Sequence, residues 1–148
     1  MERRVAIVGT GWVGASIAIS TLHSGVADEV ILNDTRAAVA EGEAMDLAHG
    51  ASFYPSAIVR AAPIEEMVDA DVVVVTAGRG GRPGESRLEL LRENAAVVRD
   101  IGERLRGCRG TIVMVSNPVD VLTRLMTEVS GLPPARVVGT GTMLDTAR

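Results

Sequence analysis

Four consecutive valines, Val72 to Val75 within DVVVVT, constrain this chain more than any other feature of it. Successive side chains of a strand point to opposite faces, so an unbroken valine run needs apolar cover on both sides. A sheet with one wet face would alternate polar and apolar residues instead. Residues 71–76 therefore read as a central strand of a parallel sheet lying between two layers of helix. Residues 3–9, 29–33, 57–61, 111–115 and 136–139 read as further strands. Residues 12–24, 37–49, 86–106 and 119–130 read as helices, with another beginning at Met143 and one or two helical turns at 64–69. Local chemistry marks the boundaries. Gly25 and Gly131 stand where left-handed helix ends favour glycine, and Ser86 with Glu89 three residues later forms a capping box. On the 37–49 helix, Ala40, Ala44, Met45 and Leu47 form the apolar side. Regular alternation of strand and helix predicts an α/β fold with right-handed crossovers and helices on both sheet faces.

Composition agrees. Apolar residues make up 47% of the 148 and aromatics only 2%, so the core must be aliphatic. Residues 1–148 read as one domain, and at this length a sizeable core is buried. A net charge of −4 with no basic run excludes an evident nucleic-acid footprint. Cys108 is the only cysteine, so it can form no internal disulfide and anchors no metal cluster. Neither a signal-peptide pattern nor an apolar run of membrane-spanning length is present, and the expected location is the cytoplasm.

Gly9-Thr10-Gly11-Trp12-Val13-Gly14 is a G-x-G-x-x-G placed between the first strand and the first helix. Asp34 follows Gly14 by 20 residues, at the end of the second strand. The three glycines have different expected roles. Gly9 permits the tight turn, Gly11 the close approach of a pyrophosphate, and Gly14 close packing of the helix. The helix N-terminus offers N–H groups and partial positive charge to the phosphates. Asp34 accepts hydrogen bonds from ribose hydroxyls and repels a 2′-phosphate, which favours NAD over NADP, although Arg36 nearby could partly accommodate a phosphate. The pattern predicts a Rossmann-type doubly wound sheet of strand order 3-2-1-4-5-6, with Gly9, Gly11, Trp12, Val13, Gly14 and Asp34 binding NAD.

Beyond this turn, the chain resembles the lactate/malate dehydrogenase family. The likeness rests on the turn, on EGEAMDLAHG (41–50), on Thr76-Ala77-Gly78 with PGESRL (83–88) and Asn94, on SNPVD (116–120), and on GTGT (139–142) with LDTAR (144–148). The resemblance implies reversible hydride transfer between NAD(H) and a 2-hydroxy or 2-keto acid. It implies that Arg87, on a mobile loop, polarises the keto oxygen. Asn117 would hydrogen-bond the substrate oxygen. Arg148 would grip the substrate carboxylate through two parallel hydrogen bonds. Asp145 would orient a catalytic histidine. Thr76, Ala77, Gly78, Asn94, Val115 and Asn117 would line the cofactor crevice. The family's histidine stretch has no counterpart here, since neither His23 nor His49 matches it. The expectation is therefore a cofactor-binding half without its substrate-binding domain, inactive alone, belonging to a homodimer or homotetramer with the 41–50 helix near a subunit contact.

The substrate stays open between lactate, malate and a bulkier 2-hydroxy acid. The family's selecting position falls on Gly81, flanked by Arg79 and Arg82, and either arginine could be brought in by a small loop shift. Glu85-Ser86-Arg87 resembles the lactate branch, and an unpaired second carboxylate is costly to bury, so pyruvate is expected over oxaloacetate. A non-enzymatic NAD sensor is the rival of another class. It would need the turn and Asp34 but not Arg87, Asn117, Asp145 and Arg148 together.

Overall fold

The structure, a computed structural model, describes residues 2–141 and 143–147. Six parallel strands, β1 (Arg4–Val8), β2 (Glu29–Asn33), β3 (Ile58–Ala61), β4 (Val72–Val75), β5 (Thr111–Met114) and β6 (Val137–Gly139), form one sheet in the order β3-β2-β1-β4-β5-β6. This is the expected order. Helices α1 (Trp12–Ser24), α2 (Ala37–His49), α3 (Arg87–Arg104), α4 (Val119–Ser130) and α5 (Met143–Thr146) alternate with the strands. The expected helical turns at Ile64–Asp69 are a 3-10 helix.

The valine run behaves as its sequence requires. Val73 and Val75 enter one core, with Ala6, Val8, Ile112 and Met114 from neighbouring strands and Val98, Ile101, Leu122 and Met126 from α3 and α4. Val74 enters the opposite core, with Ile7, Val30 and Leu32 and with Ala18, Leu22, Ala40, Ala44 and Leu47 from α1 and α2. Each aliphatic side chain fully removed from water contributes about 1.5–3 kcal/mol, and here this holds on both faces of β1 and β4. Met45 departs from its expected place. It is 61% exposed, because the stripe that meets the sheet is narrow and is filled by Ala40, Ala44 and Leu47.

Gly25 and Gly131 cap α1 and α4 in the left-handed conformation, with φ of 64° and 69°. Ser86 caps α3 through the full box: its hydroxyl accepts the Glu89 N–H at 3.2 Å, and Glu89 Oε2 accepts the Ser86 N–H at 3.0 Å. At the opposite sheet end from the glycine turn, Glu29 is buried between Arg4 and Arg60, joining β1, β2 and β3. No described helix is long and apolar enough to cross a membrane.

Candidate cofactor site

The strand order reverses between β1 and β4, so the connections leaving those two strands part in opposite directions and open a crevice at their carboxyl ends. The glycine turn after β1 faces the Thr76-Ala77-Gly78 segment after β4. Thr76 N–H donates to Val8 O at 2.9 Å, and its hydroxyl donates to Gly9 O at 2.8 Å. The turn is tied to the neighbouring strand as well, through Gly9 N–H to Asn33 O at 2.8 Å.

The three motif glycines separate cleanly. Gly9 has φ +99°, and a Cβ there would lie 2.8 Å from the Ala77 backbone nitrogen. At Gly14 a Cβ would lie 1.9 Å from Gly9 O, so only glycine lets α1 begin this close to β1. Both are demanded by the chain's own packing. Gly11 is not: its φ is −70°, and a Cβ there would meet nothing within 4 Å. Gly11 is the N-cap of α1, is exposed, and makes no side-chain cap hydrogen bond. The first N–H groups of α1 thus begin beside an open face.

Asp34 stands where the spacing placed it. Its Oδ2 accepts the Thr10 N–H at 3.1 Å and the Thr10 hydroxyl at 3.3 Å, while Oδ1 accepts the Arg36 N–H at 3.0 Å. Partial burial pushes its pKa up, but the N–H donors of Arg36 and Thr10, the Thr10 hydroxyl and the Arg36 charge together hold it below the ordinary carboxylate value. The result is a fixed, ionised acceptor beside the turn. Arg36 is mostly exposed, with Nε 3.9 Å from Asp34 Oδ1. Glycine turn, uncapped helix start and acid all suit an adenosine diphosphate moiety.

The family profile described as lactate/malate dehydrogenase, NAD binding domain, matches residues 3–139. The chain belongs to the lactate/malate dehydrogenase family. L-lactate dehydrogenase 2 of Enterococcus faecalis is 48% identical over 150 residues, which is 99% of this chain and 47% of that protein. An L-lactate dehydrogenase of Geobacillus kaustophilus is 47% identical over 98% of this chain and 47% of its own length. Among solved structures, the ligand-bound minor L-lactate dehydrogenase of Enterococcus mundtii superposes with a TM-score of 0.93 at 46% identity, covering 97% of this chain and 47% of that one. The chain spans about half the length of the relatives it matches.

Against that family pattern, the remaining residues divide. Arg87 opens α3 and is exposed, and among the described residues its guanidinium has no hydrogen-bonding or ionic partner. Arg82 and Gly81 are exposed on the loop before it. Asn117 is exposed in the turn after β5, ahead of a cis peptide to Pro118. Trp12 (93% exposed) and Val13 (53%) stand at the start of α1. The Asp145 side chain, Thr142 and Arg148 lie outside what the structure describes.

Two residues have partners that the sequence did not show. The Arg79 guanidinium pairs with both carboxylate oxygens of Glu85 and, through Nε, with Glu93 Oε2 at 2.5 Å. Asn94, expected among the residues facing the cofactor, is buried and points inward. Its Oδ1 accepts the Arg79 N–H at 3.0 Å, and its Nδ2 donates to Arg79 O and Asn117 O, each at 3.1 Å. With both amide protons spent, it joins the loop after β4 to the turn after β5.

Thr10 and Ser116 escaped sequence reading. Thr10 fixes Asp34, and buried Ser116 donates to Ala77 O at 2.6 Å, holding the two crevice walls together. Neither has a signature of its own. Thr10 sits at a variable position of the glycine motif, and a serine before Asn117 reads as ordinary turn chemistry. Among the described residues no group of His, Cys, Asp and Glu is arranged to hold a metal.

Proposed function

We propose that this chain is the NAD-binding half of a cytoplasmic L-2-hydroxyacid dehydrogenase acting on lactate and pyruvate. Gly11 carries the reading. The fold explains the glycines on either side of it but has no use for this one, whereas a pyrophosphate approaching the first N–H groups of α1 requires it. Asp34 supports NAD over NADP, because a carboxylate held in ionised form repels a 2′-phosphate.

The nicotinamide supplies or accepts the hydride when bound. The protein's part would be positioning and electrostatics. Arg87, without a partner among the described residues at the start of α3, would hydrogen-bond the keto oxygen and stabilise its developing negative charge. Asn117 would donate to the same oxygen from the turn after β5. Asp145 and Arg148 would orient the catalytic histidine and hold the substrate carboxylate. The histidine and the substrate pocket would come from a second domain outside residues 1–148. The 79–84 loop would close over the reactants and exclude water.

Pyruvate is favoured over oxaloacetate by two features. Gly81 offers no charge at the selecting position, and the Arg79 charge is already matched by Glu85 and Glu93. A second substrate carboxylate would then depend on Arg82 alone. Assembly as a homodimer or homotetramer is proposed from the family, with exposed Met45 on α2 and Ile58 on edge strand β3 as the apolar surface available nearby.

The test is a pair of measurements on the 148-residue chain. NADH should quench the fluorescence of Trp12, the only tryptophan, and NADPH should do so far less. Pyruvate with NADH should show no turnover. Failure to bind NADH removes the cofactor reading, and turnover removes the half-site reading. In a protein joined to its substrate domain, a higher kcat/KM for oxaloacetate than for pyruvate would overturn the substrate assignment.

A further inference from the structure

The loop between β4 and α3 has a composition that favours movement. Gly80, Gly81 and Gly84 carry no side chains, and Gly84 has φ +81°. Yet its two ends are bound to each other. Arg79 is fixed at its backbone by the buried Asn94, which takes its N–H and donates to its carbonyl. From this anchored root the Arg79 side chain reaches across the loop. Nη1 donates to Glu85 Oε2 at 2.7 Å and to Gly80 O at 3.2 Å, Nη2 donates to Glu85 Oε1, and Nε donates to Glu93 Oε2 at 2.5 Å. Glu85 Oε2 also accepts the Arg82 N–H at 3.0 Å. The guanidinium thus joins the two sides of the glycine-rich stretch 80–84, Arg79 and Glu85, and joins both to α3.

We propose that Arg79 is a positioning residue that latches this loop, holding Glu85 and Ser86, and through them the start of the helix that carries Arg87, in one arrangement until the loop closes. The inference rests on the reading of Arg87 given above. A planar fork pairing both oxygens of one carboxylate fixes direction as well as distance, which a single ammonium cannot. Arg87 follows Glu85 by two residues, and the Ser86–Glu89 box closes the intervening turn. Between the latch and the cap no freely rotating residue is left. The arginine lowers the pKa of both partners, holding Glu85 down at about 2, so the latch stays charged throughout the neutral range. Its ion pairs are partly open to water, with Glu93 60% exposed, so salt should loosen it.

The experiment is hydrogen exchange on the 148-residue chain, read at the Arg82, Glu85 and Ser86 amides, with the β1 and β4 amides as internal reference. Arg79→Ala should speed exchange at the three loop amides about three- to tenfold and leave the strands unchanged. Arg79→Lys should recover part of the protection, since it restores charge without the fork. Raising NaCl from about 0.05 to about 0.5 M should speed loop exchange in the wild type but not in Arg79→Ala. Wild-type loop rates in Arg79→Ala, or salt-independent rates in the wild type, overturn the latch. Should Arg79→Ala fail to fold, Glu85→Gln, which breaks the two-oxygen pairing, and the salt series on the wild type decide the question in the same way. NADH titration of each protein separates the two ideas: binding with unchanged loop exchange sinks the latch alone, and faster loop exchange without NADH binding sinks the cofactor reading alone.

Discussion

Gly11→Ala separates what the fold needs from what a ligand needs. The backbone there has φ −70° and ψ −173°, allowed for alanine, and the added methyl would meet nothing within 4 Å. The only expected stability cost comes from exchanging glycine for alanine at a helix N-cap, about 1 kcal/mol or less. For a chain of this size, that is a fall in Tm of about 2–4 °C at most. Binding should respond differently. A pyrophosphate held by the first N–H groups of α1 makes charge-assisted hydrogen bonds worth about 1.5–3 kcal/mol each. A methyl that pushes it out of reach of one such group should weaken NADH about 10- to 100-fold, at about 1.4 kcal/mol per tenfold. Urea unfolding and Trp12 quenching by NADH, run on the same preparation, measure the two effects. Wild-type NADH affinity in a folded Gly11→Ala protein would mean that no phosphate group comes near the turn, and the site would have to be abandoned.

Gly14→Ala should fail for a reason internal to the fold. Its Cβ would lie 1.9 Å from Gly9 O, so α1 must retreat by about 1 Å, an overpacking cost of about 1–3 kcal/mol or more against about 1 kcal/mol gained in helix propensity. Gly42→Ala, at an exposed position of α2 with nothing within 4 Å, should instead raise stability by about 0.5–1 kcal/mol in the same urea titration. Asp34 should give NADH binding that is flat in pH from 8 down to 5. Its folded pKa lies below the usual ~3.9, so the ionised form and its Thr10 and Arg36 contacts persist above that value and are lost only as pH falls through the lowered one. An inflection in NADH affinity near pH 6, absent from Asp34→Asn, would contradict this. Ser86→Ala removes the α3 cap and should cost about 1 kcal/mol, checked by urea unfolding, without altering NADH affinity.

The sequence by itself determined the layers and the order of elements. Val72–Val75 needed cover on both faces, and an interior parallel strand between two helix layers supplies it. Helix ends were equally legible, because Gly25, Gly131 and the Ser86–Glu89 box act over a few bonds. The turn from Gly9 to Gly14 and the acid at Asp34 could be read because each answers to a short-range rule of backbone geometry or spacing. What only the tertiary structure decided are the partnerships between residues far apart in the chain. Arg79 looked like a free cation beside Gly81 until the fold brought Glu85 and Glu93 around it. Asn94 turned inward because α3 carries it between two loops whose backbone groups would otherwise be buried without partners. Met45 matched a helical apolar stripe, but sheet contact uses a narrower arc than periodicity alone can define. Local preference is written residue by residue, whereas the pairing of charges and amides depends on which strands become neighbours.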